Sequence, residues 1–442
     1  MTKSEILATF VGQDHKQILN VKFFRNIHTP THAGHHHHRP SLSSRMNAAT
    51  GTSLSVLLSL SLAHLLNDMF QSIVSASYPV IKHEMGLTFS QIGMIAFTYQ
   101  ICASLFQPVF GEVFDRRQSP YYLTLGTVST MIGLVIIAFA PSVYFLFPAV
   151  AFVGLGSSVI HPEASRMTHF ASKGRHGFAQ SVFQVGGNFG NAMGPLLAAA
   201  IVAPFGQRYM IVFAALALVS LVTKRPLMRW QRVHIRMARR PAAPGRAVHR
   251  VRLSKSKIYW SLAILLVLIF SKYVYLASLT NYYTFYLMAK FGLSTRHAQL
   301  FLFAYLLAVA VGTFLGGPIG DRVGRKYVIL ASILGTAPFS LLMPHVGLVW
   351  TCVLSVVIGL VLSSAFSAIL VYAQELLPTK VGLISGLFFG LAFGIAGIAA
   401  AVLGGVADAH GIEYVYRLSG WMPLLGLVAV LLPNVKMRRP GR

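Results

Sequence analysis

Two residues in this chain stand where charge is expensive. Asp68 lies near the middle of one apolar run and Lys272 near the middle of another. A charged side chain at such a depth costs at least about 2.5–3.5 kcal/mol on insertion scales, so each demands a partner or a task. They are 272 − 68 = 204 residues apart. In a chain duplicated at that spacing, opposite charges would occupy equivalent places in the two halves. A direct or water-mediated pair would lower the cost. Two chemistries fit: a structural bridge between the halves, or a site where Lys272 attracts an anion and Asp68 takes up and releases a proton.

Other polar residues recur around these two at helical spacing. His64, Asp68, Gln71 and Ser75 share a face, with Asn67 beside it. Tyr275, Tyr282 and Tyr286 accompany Lys272; Gln180, Gln184, Asn188 and Asn191 make a further stripe, and Ser158, His161 and Ser165 another. Glu163 is two residues from His161, about 200° around a regular helix, so the two should face apart unless Pro162 bends the backbone. The candidates for proton coupling are Asp68, His161 and Glu163. A neutral His161 packed against a hydroxyl is the plainer alternative. The candidates for substrate contact are Lys272, His64, Asn67, Gln184, Asn188, Asn191, Tyr275 and Tyr282. His64, His161 and Glu163 form neither a nucleophile–base pair nor a compact ligand spacing, so no catalytic residue, metal or cofactor is expected, and the chain is not read as an enzyme. Cys102 and Cys352 lie in apolar runs and imply no disulfide framework.

The elements that position these residues follow from composition. The 442 residues are 55% hydrophobic and 11% charged, with a mean hydropathy of +0.63. A soluble chain carries about 25% charged residues. Twelve apolar segments follow one another: 54–81, 88–114, 121–140, 142–170, 177–203, 208–224, 258–289, 297–320, 327–344, 347–376, 381–407 and 414–433. Most are long enough to span a bilayer as helices. The formal charge of +26 does not indicate nucleic acid, because the basic residues fall in particular loops. Arg116, Arg117, Lys173, Arg175, Arg322, Arg325 and Lys326 occupy alternate hairpins, while the other loops hold few bases (Lys82, Arg208, Lys290, Arg296). By the positive-inside bias, both termini and the basic stretch 224–257 are cytoplasmic. The expected organisation is a disordered cytoplasmic tail (1–50), a six-helix bundle (51–223), a basic cytoplasmic linker (224–257), a second bundle (258–435) and a short tail (436–442). The run His35–His38 belongs to the first tail, where Met46 is an alternative start.

A charged hairpin recurs between the apolar runs. Gly317, Asp321, Arg322, Gly324, Arg325 and Lys326 form G-x-x-x-D-R-x-G-R-K, and Gly111, Asp115 and Arg116 form a partial copy, at 321 − 115 = 206. The partial copy has Gln118, Ser119 and Pro120 where the other has Gly, Arg and Lys. Phe205-Gly206 and Tyr209 match His410-Gly411 and Tyr414 at an offset of 205, as Gly177 matches Gly382. The two halves are therefore parallel repeats, an arrangement found in transporters. A latch at the cytoplasmic helix ends is expected from Asp115, Arg116, Arg166, Gly317, Asp321, Arg322, Gly324, Arg325, Lys326 and Glu375, with Glu163 joining it if it carries no proton. Glycines every fourth residue (Gly186, Gly190, Gly194; Gly312, Gly316, Gly320; Gly382, Gly386, Gly390, Gly394) predict close helix seams.

The hairpin signature resembles that of the major facilitator superfamily. Longer words, among them His64-Leu65-Leu66-Asn67-Asp68, His161-Pro162-Glu163-Ala164-Ser165-Arg166, Phe183 to Gly190, Phe270-Ser271-Lys272-Tyr273 and Ala373 to Pro378, resemble the bacterial fosmidomycin resistance family. The likeness covers nearly the whole chain after about residue 50. It implies an all-α integral membrane protein of twelve transmembrane helices in two pseudo-symmetric six-helix bundles. It also implies an inner-membrane efflux pump for a phosphonate antibiotic, driven by protons. An importer or exchanger of another small organic anion is the alternative. The expected partners are the anion, protons and the lipid bilayer, and a monomer is expected.

Overall fold

The computed structural model describes residues 54–87, 89–238 and 253–434. The tail 1–50, the run His35–His38, the middle of the linker and residues 436–442 lie outside the described residues. All described residues belong to one compact helical unit, without a strand among them.

Eleven helical spans are long and apolar enough to cross a membrane, and a bent pair supplies a twelfth. In chain order they are α1 (Leu54–Ala76), α2 (Met94–Arg116), α3 (Tyr122–Phe139), α4 (Val143–Ala171), α5 (His176–Phe205), α6 (Gln207–Thr223, bent by 41° into Arg225–Met237), α7 (Lys255–Phe291), α8 (Leu300–Val323), α9 (Arg325–His345), α10 (Leu348–Leu376), α11 (Val381–His410) and α12 (Ile412–Leu431). They coincide closely with the apolar segments, because in hydrocarbon a helix satisfies every backbone polar group internally. The bend in α6 falls where the apolar run ends and Arg225, Arg229, Arg232 and Arg236 begin. That second helix buries Leu227, Gln231 and Ile235 and exposes the arginines.

The pairing of spans repeats between halves. α1 packs along α5 as α7 packs along α11, and α2 meets α4 as α8 meets α10. Across the halves α2 lies against α11, and α8 against α5. Burying one apolar surface on another gains little in lipid, so such contacts depend on close approach. A Cβ at Gly186 or Gly190 would collide with the carbonyls of Ser61 and Leu65 on α1, and one at Gly312 with that of Leu360 on α10. A Cβ at Gly111 would strike the Gly382 carbonyl, and one at Gly317 the Gly177 carbonyl. Gly320 differs: its nearest neighbour would be 3.8 Å away, so it is no part of a seam. Gly324 ends α8 at φ +110°, a turn that disfavours any side chain. Outside the bundle, side chains such as Leu58, Phe97, Val109, Phe303 and Val402 are exposed, as lipid-facing positions are.

Candidate functional site

Asp68 is buried on α1 and ringed by donors from three spans. His161 Nε2 on α4 lies 3.0 Å from its Oδ1, and Asn67 Nδ2 donates to the same oxygen at 3.1 Å. Asn191 Nδ2 on α5 donates to Oδ2 at 3.1 Å, and His64 Nε2 lies 3.3 Å from Oδ2. The second nitrogen of each imidazole is also engaged. His64 Nδ1 is 2.8 Å from the Phe183 carbonyl, and His161 Nδ1 is 3.0 Å from both the hydroxyl and the carbonyl of Ser157.

A carbonyl only accepts, so His64 Nδ1 carries hydrogen and Nε2 of the neutral ring carries a lone pair. That lone pair faces a carboxylate oxygen, and two acceptors meet favourably only with a proton between them. His161 is placed alike: its Nδ1 meets the Ser157 carbonyl as well as the hydroxyl, so Nε2 either donates to Asp68 as the N–H of a neutral ring or shares a proton with it. A proton shared between an imidazole and Asp68 would leave the cluster neutral. Without it the cluster carries an uncompensated negative charge, which is costly at that depth.

The cluster borders a cavity of about 150 Å³ lined by Asp68, Gln71, Ser72, Ser75, Tyr99, Gln100, Ala103, Asn191 and Phe393. That is room for about five waters. Ser72 and the exposed Ser75 follow Asp68 along α1, away from the end where α2 finishes at Arg116. The cavity thus faces the end opposite the basic hairpins. Tyr99 bonds Gln71 within it, and Gln100 Nε2 reaches across to the Phe393 carbonyl on α11 at 2.9 Å. Aromatic rings pack the cluster's other sides: Phe183 stacks on His64 at 4.1 Å, and Phe389 and Phe393 lie 5.2 and 5.0 Å from His161.

Lys272 does not pair directly with Asp68, contrary to the simplest expectation. Its Nζ meets the Ser363 carbonyl at 3.4 Å and lies 5.5 Å from the ring centres of Phe366 and Tyr273. Phe366 packs in turn on Phe389, which faces both histidines. An aromatic wall from the second half therefore intervenes, and His64 and His161 take the place beside Asp68. Equal offsets matched the depth of the two charges but not what lies between them.

The other candidates scatter. Asn188 Nδ2 bonds Thr313 on α8 at 3.2 Å, and the Tyr282 hydroxyl donates to the Ala400 carbonyl at 2.5 Å. Gln184 Oε1 and the Tyr275 hydroxyl are buried without a hydrogen-bond partner. Glu163 is held bidentately by Arg166, 2.9 Å for each contact, and also by Gln231 of the α6 extension. It faces away from His161, and the helix runs through Pro162.

At the basic end the two halves are joined symmetrically. Asp115, closing α2, accepts the main-chain N–H groups of Gly382 and Leu383 at the start of α11, at 2.9 and 2.8 Å. Asp321, closing α8, accepts those of Gly177 and Phe178 at the start of α5, at 2.9 and 2.8 Å. Each carboxylate caps a helix N-terminus, where free N–H groups and the helix dipole favour an anion. Arg325 braces Asp321 at 3.0 Å and Glu375 at 2.8 Å. The first hairpin has Ser119 at the matching position (325 − 206 = 119), and there Arg166 of α4 approaches Asp115 and Gly382 instead. Three expected latch bases do not join the halves as placed. Arg116 pairs with Glu112 one turn back at 2.7 Å, Arg322 is exposed, and Lys326 donates to the Val430 carbonyl within the second half. Their positions at the hairpin rims leave them in solvent reach, where charge needs no partner.

His64, Asp68 and His161 also present ligand-type atoms within 4.8 Å of one another, a grouping that could hold a divalent cation and that sequence spacing did not reveal. Asp68 Oδ1 and His161 Nε2 already meet in a hydrogen bond, and a proton shared by His64 Nε2 and Asp68 would serve the remaining pair. Sequence reasoning also missed Gln231, whose contact with Glu163 depends on the bend at Lys224.

Comparison with known proteins identifies the family and the fold. The Major Facilitator Superfamily model matches residues 60–298 and 266–441. The chain is 53% identical to the "Fosmidomycin resistance protein" of Escherichia coli (strain K12) over 87% of this chain and 94% of that one. It is 40% identical to the "Uncharacterized MFS-type transporter YfnC" of Bacillus subtilis (strain 168), over 86% and 93%. Among solved structures, the transporter FucP in the outward conformation aligns with a TM-score of 0.66 at 14% identity, covering 87% of this chain and 100% of that one. On these matches, the chain belongs to the major facilitator superfamily, whose members are transporters.

Proposed function

We propose that this chain exports a small anionic drug, fosmidomycin or a kindred phosphonate, in exchange for protons by alternating access. The observation that carries the proposal is the buried His64–Asp68 pair, 3.3 Å apart and bordering a cavity that faces away from the joined basic end. In this scheme the basic end faces the cytoplasm of a bacterial inner membrane, with both termini on that side, as Lys and Arg bias favours. Bundles 51–223 and 258–435 rock about their glycine seams, the linker 224–257 stays cytoplasmic, and one chain works alone.

The conformation described is then outward-open. Asp68 and His64 take a proton from outside through the polar cavity. Among the described residues no basic side chain lines that cavity, so an anion meets only the carboxylate there and departs. The caps at Asp115 and Asp321 part as the basic end opens, the proton leaves inward, and an anion enters. Lys272, freed from its aromatic wall, is the counter-charge that draws it. Glu163, bound to Arg166 and Gln231, belongs to the latch rather than to proton carriage. Exchange of a dianion for protons moves net charge, so membrane voltage biases it.

Drug susceptibility of an efflux-deficient host tests the scheme. The intact chain, Asp68→Asn and Lys272→Met are compared at equal membrane expression across phosphonates and unrelated drugs. Resistance confined to phosphonates and lost in Asp68→Asn is expected. Equal resistance in all three would contradict it.

A further inference from the structure

Between the Asp68 cluster and the two helix caps lies a second polar assembly, buried except at His169, which is half-buried, and built from four spans of both halves. Ser165 and His169 come from α4, Gln180 from α5, Gln374 from α10 and Ser385 from α11. Gln374 Oε1 faces His169 Nδ1 at 3.1 Å, which turns its amide nitrogen toward two hydroxyls, Ser385 Oγ at 2.9 Å and Ser165 Oγ at 3.3 Å. Gln180 Nε2 donates to Ser165 Oγ at 3.1 Å and to the Ser165 carbonyl at 3.0 Å. The Ser165 hydroxyl donates to Ser385 Oγ at 3.1 Å, and the Ser385 hydroxyl donates to the Val381 carbonyl at 2.7 Å.

Donors thus converge on one point. Ser165 Oγ collects N–H groups from amides on opposite halves, with a second hydroxyl and an imidazole N–H close by. Such a cluster is an expensive way to hold two apolar bundles together, because every donor is stranded if its partner moves away. This interface is also the one that separates when the basic end opens. The donors of Gln180 and Gln374 would then face a water-filled cavity, aimed where Ser165 Oγ had stood. They suit an oxyanion oxygen, which accepts several N–H groups at once.

We infer that Gln180 and Gln374, with Ser385 and His169, form the cytoplasm-facing binding site for the oxyanion group of the cargo, sealed against itself in the conformation described here. The inference rests on the alternating-access export scheme and adds to it the groups that read the cargo. They stand beside Lys272 as neutral donors, supplying directional bonds where an ammonium supplies charge.

The test is uptake of labelled fosmidomycin into inside-out membrane vesicles, which present the basic end to the medium. Gln374→Leu and Gln180→Leu should each raise the half-saturating concentration about tenfold, the loss of one hydrogen bond to a charged group, with the maximal rate nearly kept. Gln374→Asn, a shorter amide that preserves polarity, should fall between them and the intact chain. Ser165→Ala removes the point of convergence but neither amide, and should change the half-saturating concentration by less than about threefold. If all four variants alter only the maximal rate, the assembly is a gate alone and the proposal is overturned. Unchanged kinetics in both leucine variants overturns it equally. Vesicles of the intact chain that take up no fosmidomycin would overturn the export scheme together with it, so the two failures are told apart.

Discussion

Replacing Asp115 and Asp321 by asparagine should open the basic end. Each carboxylate accepts two main-chain N–H groups at 2.8–2.9 Å across the junction of the halves. Hydrogen bonds to a charged group contribute about 1.5–3 kcal/mol each, against about 1 kcal/mol for neutral ones. Asparagine keeps one carbonyl acceptor and forfeits the charge, so each substitution should cost the closed junction about 2 kcal/mol. That multiplies the open-to-closed ratio about thirtyfold. The two caps share no partner, so the double variant should lose about 4 kcal/mol, a change of about a thousandfold. The assay is a pulsed electron–electron distance measurement between spin labels at Arg116→Cys and Thr379→Cys, both exposed and on opposite halves, in a chain with Cys102 and Cys352 replaced by serine. A longer distance should appear in each single variant and dominate in the double. A distribution unchanged in the double variant would refute the reasoning that these carboxylates hold the junction.

Other consequences are as direct. Arg166→Gln strands the buried Glu163 carboxylate and should destabilise the protein by about 3–5 kcal/mol, with Glu163→Gln added to it restoring much of the loss in thermal unfolding. Gly190→Ala should lower thermal stability by about 1–3 kcal/mol, because its Cβ meets the Leu65 carbonyl, whereas Gly320→Ala, whose Cβ would make only ordinary contacts from 3.8 Å outward, should be tolerated. Asp68→Asn should still exchange cargo for cargo across a proteoliposome membrane while losing acceleration by an imposed pH gradient; a variant that responds to the gradient as the intact chain does would remove Asp68 from the coupling.

The spans and their duplication were legible in the sequence because lipid imposes one local rule, an apolar run of sufficient length, and each run obeys it without tertiary help. The glycine spacing likewise marked the faces of α5 and α11 that approach a neighbour closely, since close approach depends on Cβ atoms being absent; that the neighbours are α1 and α2 came only from the structure. The stripe His64, Asp68, Gln71 and Ser75 pointed correctly at one face, and Asp68, Gln71 and Ser75 line the cavity there. What joins that face from elsewhere was not legible. Lys272 matched Asp68 in depth, yet the side chains between them come from α10 and α11, which no offset reveals. Arg166 replaces the hairpin base missing at Ser119 from a different helix, a substitution visible only once α4 is seen beside the cap. The spacing of Ser157, His161, Ser165 and His169, one turn apart on α4, was the available signal for the buried assembly. Its partners Gln374 and Ser385 lie more than two hundred residues away.

The central claim is that the His64–Asp68 pair carries the proton that drives the cargo. It is tested most directly by purified chain in proteoliposomes containing a trapped pH indicator, with fosmidomycin added on one side only. Addition should move protons against the drug, abolished in Asp68→Asn and reduced in His64→Gln at equal reconstitution. Drug flux by the intact chain without any proton movement would contradict it.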